Sequence, residues 1–316
     1  LSPTVLGSVL LRLLSSRVII FIGAQSAGVK NLTKPAQMEV TERIEGFVGE
    51  VSGLDLSKTV ENNDAAAVRV AWARAPVLIF PDQALEPDSM LSFGSVFGEP
   101  QPEPPMNQTY LEEGADAVSY VGNINKDGSP YPFGNMRATA WHSDQSYLEE
   151  PVSGGILHAL KMPSRGGGTL FCNMYAAYRA LDLALRERLD QMIGLHGYNV
   201  GRRGETGPPL DEGKHGIWPT VRHPIVRTHP VTGRKALYVN PAHTFGIEGL
   251  DDDAALLNEL LDHVEDEARF FYYHHWTVGD VVVWDQRCLM HRGAGDAPTD
   301  ETRFLMRLKI AGDRPV

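Results

Sequence analysis

The sequence is short of several things whose absence narrows its class. It holds two cysteines, Cys172 and Cys288, far apart and in no CxxC pair, which excludes a disulfide scaffold and a cysteine-ligated zinc ribbon. They fit a reducing compartment or no redox role, and a cytoplasmic location is expected. Positive charge is in deficit: 29 Lys and Arg face 40 Asp and Glu, for a formal net charge of −11. That field repels phosphate backbones, so no nucleic-acid partner is expected, although a local basic pocket could still hold a small anion. Long apolar runs are missing too. Residues 5–24 are mostly apolar but interrupted by Arg12 and Arg17, too broken for a membrane span. No internal repeat occurs, and no linker divides the chain.

The 316 residues suffice for a core without covalent staples. Residues 1–37 stand apart. Met38-Glu39-Val40 reads as a native start, which makes 1–37 an extension outside the native domain and 38–316 a single domain. Two other readings stay open: a signal peptide, with Arg17 before the apolar run 18–24 and small residues at 26–28, or an extra helix.

From Val40 onward, short β runs alternate with Gly, Pro and Asp clusters. Residues 43–54 read as strand and turn, 63–75 as a helix, 76–80 as a buried strand, and 85–97 as a helix opened by Pro87-Asp88. Residues 99–137 show little periodicity and read as a long irregular segment. Its part 101–137, with Tyr120, Asn123 and Asn125, is a candidate lid or an ordinary surface loop. Strands follow at 155–160 and 169–173. Residues 175–195 have the clearest helical spacing, and 256–271 form the second clear helix. A polar Gly-rich loop covers 201–216. Strands return at 225–228, 236–240, 280–284 and 303–310. Many short strands with few helices predict a mainly β fold, a barrel or sandwich with covering helices.

The chemistry centres on Trp141-His142-Ser143-Asp144. On extended backbone, side chains at i and i+2 point the same way, so His142 and Asp144 converge. Joined by a distant histidine they would form the 2-His-1-carboxylate set of non-haem Fe(II) oxygenases, which leaves coordination positions open. The bland alternative is a surface histidine beside a solvated aspartate. His291, after the apolar run Val281-Val282-Val283-Trp284, has the most suggestive setting for the second histidine; His274 and His275 are alternatives. In residues 303–310, period 2 puts Phe304, Met306, Leu308 and Ile310 on one face and Arg303, Leu305, Arg307 and Lys309 on the other. Those cations face either water on an edge strand or the interior, where an anionic ligand would offset the cost of burying them.

Five blocks, in this order, resemble the taurine / 2,4-dichlorophenoxyacetate dioxygenase (TauD/TfdA-like) family: W-H-S-D at 141–144, G-G-T-L at 167–170, H-P-I-V-R-T-H-P-V-T-G-R-K-A-L-Y-V-N at 223–240, G-D-V-V-V-W-D-Q-R-C-L-M-H-R at 279–292 and R-F-L-M-R at 303–307. The resemblance covers about residues 40–310, and its spacing is closer to the phenoxyacetate-type branch. It implies a double-stranded β-helix (a cupin-like jelly roll), with Fe(II), 2-oxoglutarate and O₂. It also implies His142, Asp144 and His291 as metal ligands, and Thr169 and Arg303 as the 2-oxoglutarate site. Arg307 matches the position that holds a substrate's acidic group, and Trp284 an aromatic beside the metal. Asn123 lies in the candidate lid. Where the family has a G-F-T-like run, this chain has Pro241-Ala242-His243-Thr244-Phe245-Gly246, so His243 and Phe245 are expected to reshape a pocket wall.

The implied function is an oxidoreductase that hydroxylates a small acidic organic substrate, aryloxyalkanoate- or sulfonate-like, and releases succinate and CO₂. Fragmentation follows where the hydroxylated carbon bears a leaving group. The expected partner is that small molecule, with no nucleic acid and no membrane, in a homo-oligomer. Two alternatives remain: a zinc-dependent hydrolase and a non-catalytic jelly-roll binding protein.

Overall fold

The computed structural model describes residues 38–103, 111–129, 139–198, 219–250, 253–266 and 268–316, with two strands before them, β1 (Leu10–Leu14) and β2 (Arg17–Phe21). Next come β3 (Glu39–Ile44), β4 (Val48–Ser52), α1 (Asn62–Arg74), β5 (Val77–Phe80), α2 (Pro87–Gly94), β6 (Leu111–Glu112) and β7 (Ala115–Gly122). They are followed by β8 (Gly154–Lys161), β9 (Thr169–Asn173), α3 (Met174–Ala180), α4 (Leu183–Leu189), β10 (Ile193–His196), β11 (Val221–Pro224), β12 (Val226–Thr228), β13 (Lys235–Leu237) and β14 (Thr244–Ile247). The chain closes with α5 (Asp253–Asp266), β15 (Phe271–His274), β16 (Val281–Asp285), β17 (Leu289–Gly293) and β18 (Phe304–Ile310). The protein is mainly β, as expected.

One large sheet has the order β1-β2-β3-β4-β5-β16-β8-β18-β7-β6, and a smaller one the order β15-β9-β17. Their facing sides share one apolar cluster, which includes Val77, Ile79, Leu157, Val282, Trp284 and Leu305 from the large sheet and Phe171 and Leu289 from the small one. A second cluster lies on the other side of the large sheet. There α1 and α2 place Val68, Ala71, Trp72, Met90 and Phe93 against Phe80, Ile156, Val281, Val283, Met306 and Leu308. A strand covered on both faces has no reason to alternate in polarity. That explains the continuous run Val281-Val282-Val283-Trp284, whose members are at most 1% exposed. Each fully buried Val, Leu, Ile or Phe contributes about 1.5–3 kcal/mol.

Strand β18 keeps the predicted alternation. Phe304, Met306, Leu308 and Ile310 pack under the helices, so Arg307 and Lys309 face the space between the sheets.

Several expectations need correction. The helix expected over 175–195 is two short helices and a strand. Leu181 leaves helical backbone (ψ 151°), Asp182 caps α4 by accepting from Leu185 N at 2.8 Å, and β10 pairs with β11 and β14. Apolar spacing misleads here, because Leu183 of α4 is exposed and only Leu189 of that helix is buried, while β10 buries Gly194 and His196. The helix expected over 256–271 ends in α5 at Asp266, and Phe271 begins β15, which pairs with β9. The segment 99–137 is not wholly irregular, since β7 pairs along β18 with Arg307 opposite Ser119. Residues 104–110 and 130–138 of the candidate lid, and the loop 201–216, lie outside the described residues. Before residue 38 the described backbone is a strand hairpin rather than a helix, and it pairs with β3 through Arg17–Thr41 and Val18–Val40.

Gly155 on β8 is paired with Trp284, and a Cβ there would sit 2.3 Å from the indole. Gly155→Ala is therefore expected to lower stability by about 1–3 kcal/mol through overpacking, read from urea unfolding midpoints. Two buried histidines also make stability depend on pH. Burial holds His223 at about 4 and His196 well below its ordinary value of 6.5. Above pH 6.5 both states are neutral and nothing is lost. Below it the unfolded chain binds protons that the folded chain refuses. Stability should then fall by up to about 1.4 kcal/mol per pH unit for each imidazole, down to about pH 4 for His223. Unfolding midpoints between pH 7 and pH 5 check this.

Candidate active site

His142 lies beside β17 and forms an isolated antiparallel bridge with His291: His142 N donates to His291 O at 3.1 Å and His291 N to His142 O at 2.9 Å. The i, i+2 spacing brings Asp144 to the same place. Its Oδ1 lies 3.6 Å from His142 Nε2 and its Oδ2 3.9 Å from His291 Nε2. Donor atoms sharing one divalent ion at bonds of about 2.1 Å lie about 3–4 Å apart, so the three residues fit a metal. The tautomer fits as well. His142 Nδ1 lies 2.8 Å from Ala140 O; as the donor there, it leaves Nε2 with its lone pair toward Asp144. Burial, reinforced by His142, pushes His291 down to about 3, so its ring is neutral and ready to ligate. Burial by itself would raise the Asp144 carboxyl, but His291, Lys309, His142 and Arg307 hold it below the usual carboxylate range.

Gln286 was not anticipated from the sequence. In the turn between β16 and β17, its Nε2 donates to Asp144 Oδ2 at 2.7 Å, and its Oε1 accepts from Asp144 N at 3.0 Å. This buried amide holds Asp144 by both its carboxylate and its backbone N–H. Its place in W-D-Q-R, five residues before His291, was the available signal.

The three residues open on a cleft with about 120 Å³ of cavity space, also lined by Trp284, Thr169, Arg303 and Arg307. Arg303 Nε donates to Gly167 O at 2.7 Å and Nη2 to Thr169 Oγ1 at 3.4 Å. Among the described residues no carboxylate pairs with it, and burial pushes it down to about 10. Thr169 Oγ1 also accepts from Trp276 Nε1 at 3.0 Å, which leaves its own hydrogen to donate. The G-G-G-T loop is fastened from outside. Asp296 accepts from Gly167 N at 2.8 Å and from the Tyr273 hydroxyl at 2.7 Å, and Gly168 N donates to that hydroxyl. A Cβ on Gly168 would meet the Tyr273 ring at 2.1 Å.

The other expected site residues are placed unequally. Trp284 lies against His291, ring centroids 4.8 Å apart. Arg307 lines the cleft but is already paired: Nη2 donates to Glu103 Oε1 at 2.7 Å and Nε to Ser119 Oγ at 3.1 Å. Asn123 commits its amide to backbone, donating to Glu301 O and accepting from Arg303 N, and so anchors the start of β18. His243 stacks edge-on with Tyr147 at 5.0 Å, and Phe245 lies on β14. Neither Asn123, His243 nor Phe245 lines the cleft. A second group, His229, Asp285 and Cys288, also has metal-ligand types in proximity. Its carboxylate, however, already takes Arg287 through both oxygens, at 2.8 and 2.6 Å, and His229 Nε2 at 2.9 Å; it ties a turn together.

A sequence model of the Taurine catabolism dioxygenase TauD, TfdA family matches residues 35–309. The chain belongs to that family. TauD/TfdA enzymes use Fe(II), 2-oxoglutarate and O₂, and this chain is an oxidoreductase of that dioxygenase class. Among its relatives is the alpha-ketoglutarate-dependent 2,4-dichlorophenoxyacetate dioxygenase of Cupriavidus pinatubonensis, 33% identical over 78% of this chain and 88% of the relative. The alpha-ketoglutarate-dependent sulfate ester dioxygenase of Pseudomonas putida is 28% identical over 90% and 93%. Among solved structures, AAD-2 in complex with Mn(II) and N-oxalylglycine aligns with a TM-score of 0.74 at 28% identity, covering 88% of this chain and 98% of that one. A putative alpha-ketoglutarate-dependent taurine dioxygenase from Burkholderia xenovorans aligns with a TM-score of 0.73 at 29% identity, over 88% and 91%. No helix among the described residues is long and apolar enough to cross a membrane.

For this TauD/TfdA member, Gln286→Ala is expected to weaken divalent-metal binding about 10–100-fold while the fold persists. Calorimetric titration of the apoprotein with Mn(II), alongside circular dichroism, measures it; unchanged affinity would show that Asp144 needs no such brace.

Proposed function

We propose that this protein is an Fe(II)- and 2-oxoglutarate-dependent dioxygenase, built on a jelly-roll core, that hydroxylates a small monocarboxylate- or sulfonate-like substrate, with aryloxyalkanoates foremost. The observation that carries the reading is a single cleft with His142, Asp144 and His291 at one point and Arg303, which has no carboxylate partner among the described residues, beside Thr169 at another. A buried guanidinium without a counter-charge is costly, and a dicarboxylate resolves that cost at its far end.

In this reading His142, Asp144 and His291 hold the metal, and Gln286 keeps the Asp144 carboxylate in place. Fe(II), when bound, supplies the activation of O₂ that converts 2-oxoglutarate to succinate and CO₂ and oxidises a substrate C–H bond. Arg303 is aimed by its bonds to Gly167 O and Thr169 Oγ1. Thr169, accepting from two N–H groups, directs its hydroxyl hydrogen at the same carboxylate. Trp284 closes the apolar side of the cleft and limits water near the reacting groups. Arg307 faces the substrate side and orients an acidic group. Where hydroxylation falls on a carbon next to an ether oxygen or a sulfonate, the product fragments. A reducing cytoplasm suits the buried free thiols Cys172 and Cys288.

A zinc hydrolase on the same three ligands would leave Arg303 and Thr169 without a role, and among the described residues the cleft offers no general base beside the metal site. The test is succinate release with 2,4-dichlorophenoxyacetate and a panel of sulfonates. Release should require Fe(II), 2-oxoglutarate and O₂ and fall to background in His142→Ala. Release unchanged in that variant would overturn the reading. Arg303→Met should weaken 2-oxoglutarate binding about 100-fold, the scale for removing one partner of a buried charged pair, measured by calorimetry without oxygen.

A further inference from the structure

The inward face of β18 carries a counter-charge that the proposed function leaves unused. Pro100 bridges to Ile310, Gln101 N donates to Lys309 O at 2.9 Å, and Glu103 N donates to Asp116 O at 3.1 Å. These bonds carry the segment along the ends of β18 and β7 and deliver Glu103 between the sheets. Its side chain is 1% exposed and lies between two cations. Oε1 accepts from Arg307 Nη2 at 2.7 Å and from Ser119 Oγ at 3.1 Å, and Oε2 accepts from Lys309 Nζ at 3.1 Å. Arg307 spends Nε on Ser119 and Nη2 on Glu103 while lining the cleft, so Nη1 is the edge it has left for a ligand. The cluster borders the candidate metal site, since Arg307 lines the same cleft as Asp144.

We propose that Glu103 sets the charge of the acid this enzyme accepts: a monoanion such as a carboxylate, sulfonate or sulfate monoester, and not a dianion such as a phosphonate or dicarboxylate. The inference rests on the acidic-substrate reading above and sharpens it. Among the described residues, Arg307 and Lys309 contribute two positive charges and Glu103 removes one, so this part of the anchor presents a single net charge. In a low-dielectric cleft, binding is most favourable when the ligand leaves the site neutral, and a surplus charge without a partner is strongly disfavoured. The arrangement also separates two arginines on one strand face. Arg303, without a carboxylate partner among the described residues, suits the dianionic co-substrate, whereas Glu103 makes Arg307 a poor host for the same molecule. Discrimination of this kind works by placing a like charge against the wrong ligand.

The experiment compares two acids of the same shape, phenoxyacetate and phenoxymethylphosphonate. Both are titrated calorimetrically into protein loaded with Fe(II) and 2-oxoglutarate in the absence of oxygen, at mildly alkaline pH where the phosphonate is largely dianionic. The wild type should bind phenoxyacetate at least about 10-fold more tightly, as expected for one unmatched charge in a partly desolvated site. Glu103→Gln should flatten or invert that ratio by about 10-fold or more, and the double variant Glu103→Gln with Lys309→Met, with one net charge restored, should return it toward wild type. A wild type that prefers the phosphonate overturns the proposal without any variant, and so does a folded Glu103→Gln protein whose ratio is unchanged. If the wild type binds 2-oxoglutarate but neither acid, the acidic-substrate reading itself has failed; if it binds both and only the ratio fails to respond, the role of Glu103 alone is wrong.

Discussion

The organising constraint is a row of cations turned into a β core. Because β18 packs Phe304, Met306, Leu308 and Ile310 under the helices, period 2 turns Arg307 and Lys309 inward. A guanidinium or ammonium between two sheets is tolerable only beside an anion. Every anion around the cleft can be understood from that requirement. Glu103 occupies the space between Arg307 and Lys309, and Asp144 is held ionised partly by the same two cations. Arg303 at the strand's entry has no carboxylate partner among the described residues, which suits a ligand that brings one.

Around that row the chain is braced by groups that never touch a ligand. Gln286 grips Asp144 from the β16–β17 turn, and that turn is locked by Asp285, Arg287 and His229. Asp296 and Tyr273 hold the glycine loop that aims Arg303, and Asn123 pins the backbone where β18 begins. Trp284 reaches the metal side because Gly155 across the strand pair leaves it space. The geometry of the cleft therefore depends on residues far apart in the chain, most of them satisfying buried polar groups that would otherwise be left unpaired and Gly155 by leaving space.

Much of this was legible in the residues. Period 2 in β18 divided its faces correctly, and the apolar run 281–284 marked a strand. His142 and Asp144 were paired by spacing, and resemblance of motif order joined them to His291. What failed to read were pieces whose state depends on a distant partner. Residues 175–195 have helical spacing throughout, yet the last stretch becomes β10 because β11 and β14 offer it hydrogen bonds. Strand β7 hid in a segment rich in Pro, Gly and Asn because β18 supplies its pairing.

The sequence by itself determined the mainly β class and which face of the terminal strand would carry charge, since these follow from local periodicity, and its motif resemblance marked His142, Asp144 and His291 as candidate ligands. Only the tertiary structure decided where those charges point and what neutralises them. Glu103 and Lys309 are some two hundred positions apart, and nothing in either neighbourhood names the other. Their meeting depends on the register of β18 against β7 and on the path of residues 100–103 along its end. A charge's identity is written in one residue; its counter-charge is settled by how the sheets close.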